Sequence, residues 1–205
     1  MIDLLTAYRD DGPLAQMVAR AGRFRLQSLA ITFAGVVAAG VGLAVDGPST
    51  GAASLTGIAA FLVLGMIGGA ARRHPRVQWL VPPLLRAGEY VIVALLAWRA
   101  GTPATWLGYV LLSVVAFHHY DIVYRLRHQR TAPSPTVSLL CGGWEGRTLL
   151  ITVAAVAGVL APVLAAAAAW CGALFVSESM RSWVILALDE TRRAHVGSEI
   201  EEEEV

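Results

Sequence analysis

The chain contains no lysine; all sixteen of its basic residues are arginine, and fifteen acidic residues leave a formal charge of only +1. So even a balance provides no broad positive field, which argues against recruitment of nucleic acid by charge. Cysteine is scarce too. Cys141 lies in a loop and Cys171 in an apolar stretch, neither in CxxC or Cys/His spacing, so neither a disulfide framework nor a zinc tetrahedron is expected. The N-terminus carries Asp3, Asp10 and Asp11 and lacks an apolar core ended by a small-residue cleavage site. The expectation is therefore a first hydrophobic helix that inserts and stays.

What abounds is apolar: 56% of residues are hydrophobic and the mean hydropathy is +0.60. Values this high point to lipid as the solvent. The expected fold is all-α, a polytopic membrane helix bundle of about six transmembrane helices with a short interfacial N-terminal helix. Three regions follow: 1–25 as the interfacial helix, started by Pro13; 26–188 as the membrane domain; and 189–205 as a disordered acidic tail ending in Glu201 to Glu204. The spans are placed at Leu26 to Val45, Ala52 to Ala71, Leu84 to Trp98, Ala104 to Tyr124, Thr148 to Leu160 and Val163 to Leu188. The last two are hinged at Ala161 and Pro162.

Arginine positions set an orientation, since arginines near span ends resist translocation. With the N-terminus inside, Arg9, Arg20, Arg23, Arg25, Arg72, Arg73, Arg76, Arg86, Arg125, Arg127, Arg130, Arg147, Arg192 and Arg193 all fall on the cytoplasmic side. Arg99 falls outside and Arg181 within a span. The expected location is the plasma (inner) membrane, with both termini cytoplasmic. Gly65 and Gly69, at helix-packing spacing, serve either a homodimer or packing within one chain.

A charge in hydrocarbon needs a partner or a task, because insertion alone costs about 2.5–3.5 kcal/mol. Helical rise puts Glu89 about 7 Å inside the cytoplasmic boundary. His118, Asp121 and Glu178 come to roughly the same depth from the other side, and Glu145 and Arg147 stand at the mouth of the fifth span. His118, Asp121 and Arg125 share a helical face, as do Arg86 with Glu89 and Glu178 with Arg181. Four helices thus present charge toward one cavity. Oxygen ligands from Glu89, Asp121, Glu145 and Glu178 suit a divalent cation, Mg2+ or Mn2+. Guanidinium forks from Arg86, Arg125, Arg147 and Arg181 suit phosphate. His118 or His119 would act as general base, giving His118, Asp121 and Glu145 as the catalytic candidates. The competing reading is of intrahelical ion pairs, Arg86 with Glu89 and Glu178 with Arg181, that merely neutralise each other.

The stretches Tyr120-Asp121-Ile122-Val123-Tyr124-Arg125 and Gly142-Gly143-Trp144-Glu145-Gly146-Arg147 resemble an uncharacterised actinobacterial multi-pass membrane domain found fused to or beside CDP-alcohol phosphotransferases. The resemblance implies phospholipid metabolism and a neighbouring enzyme with six spans, a cytoplasm-facing cavity and two metals held by aspartates. That enzyme family's D-G-x2-A-R signature with its following G-x3-D-x3-D is absent here: Asp11-Gly12-Pro13-Leu14-Ala15-Gln16 begins like it but has Gln for Arg. No catalytic aspartate carries over. The leading expectation is a transferase-like membrane enzyme acting on a phosphate-bearing lipid or lipid precursor. The alternatives are a non-catalytic partner stabilising a CDP-alcohol phosphotransferase and a carrier of small anions or lipid.

Overall fold

A computed structural model describes residues 8–21, 24–72, 76–129 and 134–203. Asp3, Arg23, Arg73, Arg130 and Glu204, named above, lie outside them. A short helix α1 (Pro13–Ala21) begins at a proline, whose missing N–H costs nothing in a first turn. Next come α2 (Ser28–Asp46), α3 (Ala52–Ala70), α4 (Val81–Arg99) and α5 (Thr102–Tyr124), the last continued by a π-helical turn, Arg125–Gln129. The chain closes with α6 (Pro135–Leu140), α7 (Gly143–Val156) and α8 (Leu160–Glu203). Six helical stretches are long and apolar enough to cross a membrane, the fifth made of α6 and α7 together. The protein is a polytopic membrane helix bundle.

Small residues fix the tightest contact, between α2 and α3. A methyl placed on Gly42 would stand 2.3 Å from the Ala53 carbonyl oxygen, and one on Gly57 would stand 2.4 Å from that of Ala38. Backbones meet directly here, as they must where lipid supplies no hydrophobic drive between helices. Gly65 lies beneath the Trp144 ring and Gly69 beside the Arg9 guanidinium, so both serve packing within the chain. Gly57→Val is expected to push α2 from α3 and cost about 1–3 kcal/mol, the usual range for overpacking, read as a lower thermal midpoint in detergent.

At one end of the bundle, the Asp46 carboxylate accepts hydrogen bonds from the Gly51 and Ser54 amides at 2.9 and 2.6 Å, capping α3. Arg99, at the end of α4, donates to the Leu43 carbonyl and the Ser54 hydroxyl and ties α4 to that hairpin. At the other end lies a pairing the periodicity did not suggest, a short parallel contact of β1 (Phe24–Gln27) with β2 (Ala71–Arg72). The central core is apolar, with Phe61, Leu85, Ile92, Leu111, Ile151 and Leu164 fully buried and Phe61 set edge-on to Trp144 at 5.3 Å. Large apolar side chains such as Phe33, Val41, Trp106 and Trp170 face outward, as a bilayer demands.

Two boundaries differ from the sequence reading. The break before α8 falls at Gly158, φ +73°, and Pro162 sits harmlessly in the first turn of α8 instead of forming a hinge. The fifth span is not short, because α7 starts at Gly143 and carries Glu145 and Arg147 into the bundle. Charge looked like a span boundary in sequence; in the fold it is neutralised inside. The backbone is also helical through Glu203, where the acidic composition suggested a disordered end; glutamate is a good helix former once a packed helix has nucleated the turn.

Candidate functional site: a buried charge knot at the arginine-rich end

The N-terminal segment that the sequence placed along the membrane surface is in part an interior element. Arg9, Asp10 and Asp11 are all buried. Gly142 and Gly143, both at positive φ (+76° and +62°), shape a turn against which the Asp10–Gly12 backbone lies so closely that a methyl on Gly143 would stand 2.0 Å from the Gly12 nitrogen. Only glycine fits at such a crossing. The Trp144 amide donates to the Asp10 carbonyl and the Trp144 indole N–H to the Asp11 carboxylate.

Glu145, third residue of α7, is fully buried and accepts from the Gly12 and Ala15 amides at 3.1 and 3.0 Å. It caps α1 from another helix, placing a negative group where the helix dipole favours one. Arg9 donates to Asp11 and to the Gly69 carbonyl, and Arg86 to the Tyr8 carbonyl at 2.6 Å while lying over the Tyr8 ring. Both arginines hold the loop down.

Arg147 is the centre. Its guanidinium, 3% exposed, donates to both Glu89 oxygens at 2.6 and 3.2 Å and to the Asp10 carboxylate at 2.9 Å. His118 and His119 point their Nε2 atoms at the two Asp10 oxygens from 3.5 and 3.6 Å. His118 stacks on Phe175, and His119 Nδ1 is hydrogen-bonded to the Tyr90 hydroxyl at 2.8 Å. Burial alone would push the Asp10 carboxyl up, but Arg147 and the two imidazoles outweigh it and hold the acid well below its ordinary 3.8. A depressed carboxyl stabilises the fold above its ordinary value and loses that contribution as pH falls through the folded one. The gap in thermal midpoint between the protein and Asp10→Asn is therefore expected to be open at neutral pH and to close as pH drops below 3.8.

A second group stands on α5 and α8. Arg125 pairs with Asp121 at 2.6 Å and approaches Glu178 at 3.5 Å; the Ser179 hydroxyl donates to Asp121 and the Ser134 amide to Glu178. The predicted residues thus divide. Glu89, Glu145, Arg147 and His118 belong to the first knot with Arg86 at its edge, Asp121, Arg125 and Glu178 form the second group, and Arg181 is exposed. The acid–base pairs expected along one helix are instead made between helices, Glu89 with Arg147 and Glu178 with Arg125. Each of the four proposed ligand acids already holds an arginine or a backbone amide, and among the described residues no three His, Cys, Asp or Glu side chains gather as metal ligands.

Sequence reasoning missed Asp10, Asp11 and Tyr90. The sole local hint was the glycine pair at 142–143, which announced a close approach without saying of what.

The fold and this interior define a class, a multi-pass helical membrane protein with a buried, internally neutralised charge knot at one end. The chain belongs to the family described as "Family of unknown function (DUF5941)", whose model matches residues 2–199. No curated protein and no solved structure matches it.

Proposed function

We propose that this protein lies in the plasma membrane with both termini cytoplasmic and acts there on a phosphate-bearing lipid or lipid precursor, in transferase-like chemistry related to that of CDP-alcohol phosphotransferases. The orientation rests on the arginines near the span ends. The observation that carries the chemistry is the convergence of one buried guanidinium and two imidazoles, Arg147, His118 and His119, on a single anionic position. Such a set recognises an oxyanion: the guanidinium supplies forked charged donors and each imidazole one more. His119, oriented by Tyr90, is the group placed to move a proton, while His118 stacks and positions.

His119→Gln in nanodiscs is the test. It should leave insertion intact and lower turnover of a CDP-alcohol with a lipid acceptor by about 10²-fold or more, the range lost with a general acid. Unchanged turnover, or none in the unaltered protein, would remove the catalytic reading.

A second reading is supported by the internal partners that Glu89, Asp121, Glu145 and Glu178 each hold, as befits architecture. In it the protein is a non-catalytic partner stabilising a CDP-alcohol phosphotransferase. Co-purification with such an enzyme, whose activity is unaltered by Asp121→Asn, would favour it.

A further inference from the structure

The occupant of the oxyanion position is the chain's own Asp10, and it fits that position poorly. Among the described residues, of the donors facing its carboxylate only Arg147 Nη2 reaches hydrogen-bond distance, at 2.9 Å. His118 and His119 stop at 3.5 and 3.6 Å, beyond the usual range. Asp10 Oδ1, both Nε2 atoms, Arg147 Nη1 and the nearby Arg86 Nε are buried without a hydrogen bond. An orphaned buried polar group is costly, and here several collect around one carboxylate. The donors are spread for something wider than a carboxylate. Asp10 is also the one described non-glycine residue at positive φ, +55°, a conformation uncommon outside glycine although aspartate tolerates it better than most side chains.

The geometry points to Asp10 as a built-in surrogate ligand: the Asp10–Gly12 loop plugs a site whose true occupant is a singly charged phosphate group, such as a phosphodiester headgroup, and binding requires the loop to leave. This rests on the oxyanion reading above and adds its regulation. A phosphodiester brings one negative charge, as the departing carboxylate does, so Arg147 keeps its balance with Glu89 through the exchange. Its tetrahedral oxygens spread further than a carboxylate's, toward the two imidazoles and the idle Arg147 Nη1. The knot's other bonds let the loop go as a unit, since Arg9, Asp11 and Gly12 move with Asp10 and release Gly69, Trp144 and Glu145 together. An internal competitor lowers apparent affinity by the fraction of time it occupies the site.

The full chain would be held in a phosphate-free maltoside detergent and titrated with inorganic phosphate in one arm and with short-chain phosphatidylglycerol in the other. Asp10→Ser, which removes the competing carboxylate, should bind one or both probes on the order of tenfold more tightly than the unaltered protein. In the unaltered protein the effective probe should increase tryptic cleavage after Arg9, a bond shielded while Arg9 is buried; this arm needs no variant, and Asp10→Asn stands in should the serine protein not fold. A response in only one arm names the source, free phosphate or lipid headgroup. Equal affinity with and without the Asp10 carboxylate, or binding that leaves Arg9 shielded, would overturn the plug while sparing the oxyanion site. Absence of binding by either protein in both arms would overturn the plug and the oxyanion reading together.

Discussion

Arg147→Met is expected to destabilise the protein by about 3–5 kcal/mol, enough to abolish folding in many membrane domains, because it leaves Glu89 and Asp10 buried without their cation. The loss comes from the abandoned acids more than from the missing pair. Glu89→Gln added to Arg147→Met should therefore recover part of it, with a coupling of about 0.5–3 kcal/mol in a double-mutant cycle. Denaturant titration in detergent, monitored by helical signal and by the yield of monodisperse protein, reads both. If the single variant proved as stable as the original, the knot would contribute nothing to the fold.

Gly143→Ala is expected to expel the N-terminal loop. Its φ of +62° costs an alanine about 1–2 kcal/mol, and the new methyl would stand 2.0 Å from the Gly12 nitrogen and 2.8 Å from the Asp10 carbonyl oxygen. Neither neighbour is a side-chain tip that could swing aside. Gly146→Ala is the control: it lies one turn along α7 with nothing within 4 Å of the added methyl, and should be neutral or stabilising by up to about 1 kcal/mol. Loss of the Trp144 indole bond to Asp11 would report the first change, as a shift in tryptophan emission absent from the second.

Hydropathy made the bundle legible, because a span in lipid must satisfy its own backbone and so writes its length into an apolar run. The observed α2 and α3 fall within two residues of the expected spans at each end. Where charge entered the membrane domain the same signal failed, since Glu145 and Arg147 read as an edge although their partners lie inside. Burial of Glu89, His118 and Arg147 was legible as well, because isolated charges at that depth are costly. Their arrangement was not. The partners are Asp10 and Gly12, more than a hundred residues distant in sequence from the α7 groups that hold them, and no periodicity encodes a contact of that range. Polar residues 8–12 suggested a surface segment; what admits them to the interior is a complete set of counter-charges and caps on other helices.

Hydrogen exchange across residues 10–16, in nanodiscs without added phosphate, tests the inserted loop most directly. The Gly12 and Ala15 amides, bonded to buried Glu145, should exchange as slowly as those of the neighbouring helices, and Glu145→Gln should speed them. Exchange of that segment within seconds in the unaltered protein, at the rate of an open chain, would mean that Asp10 does not reside beside Arg147.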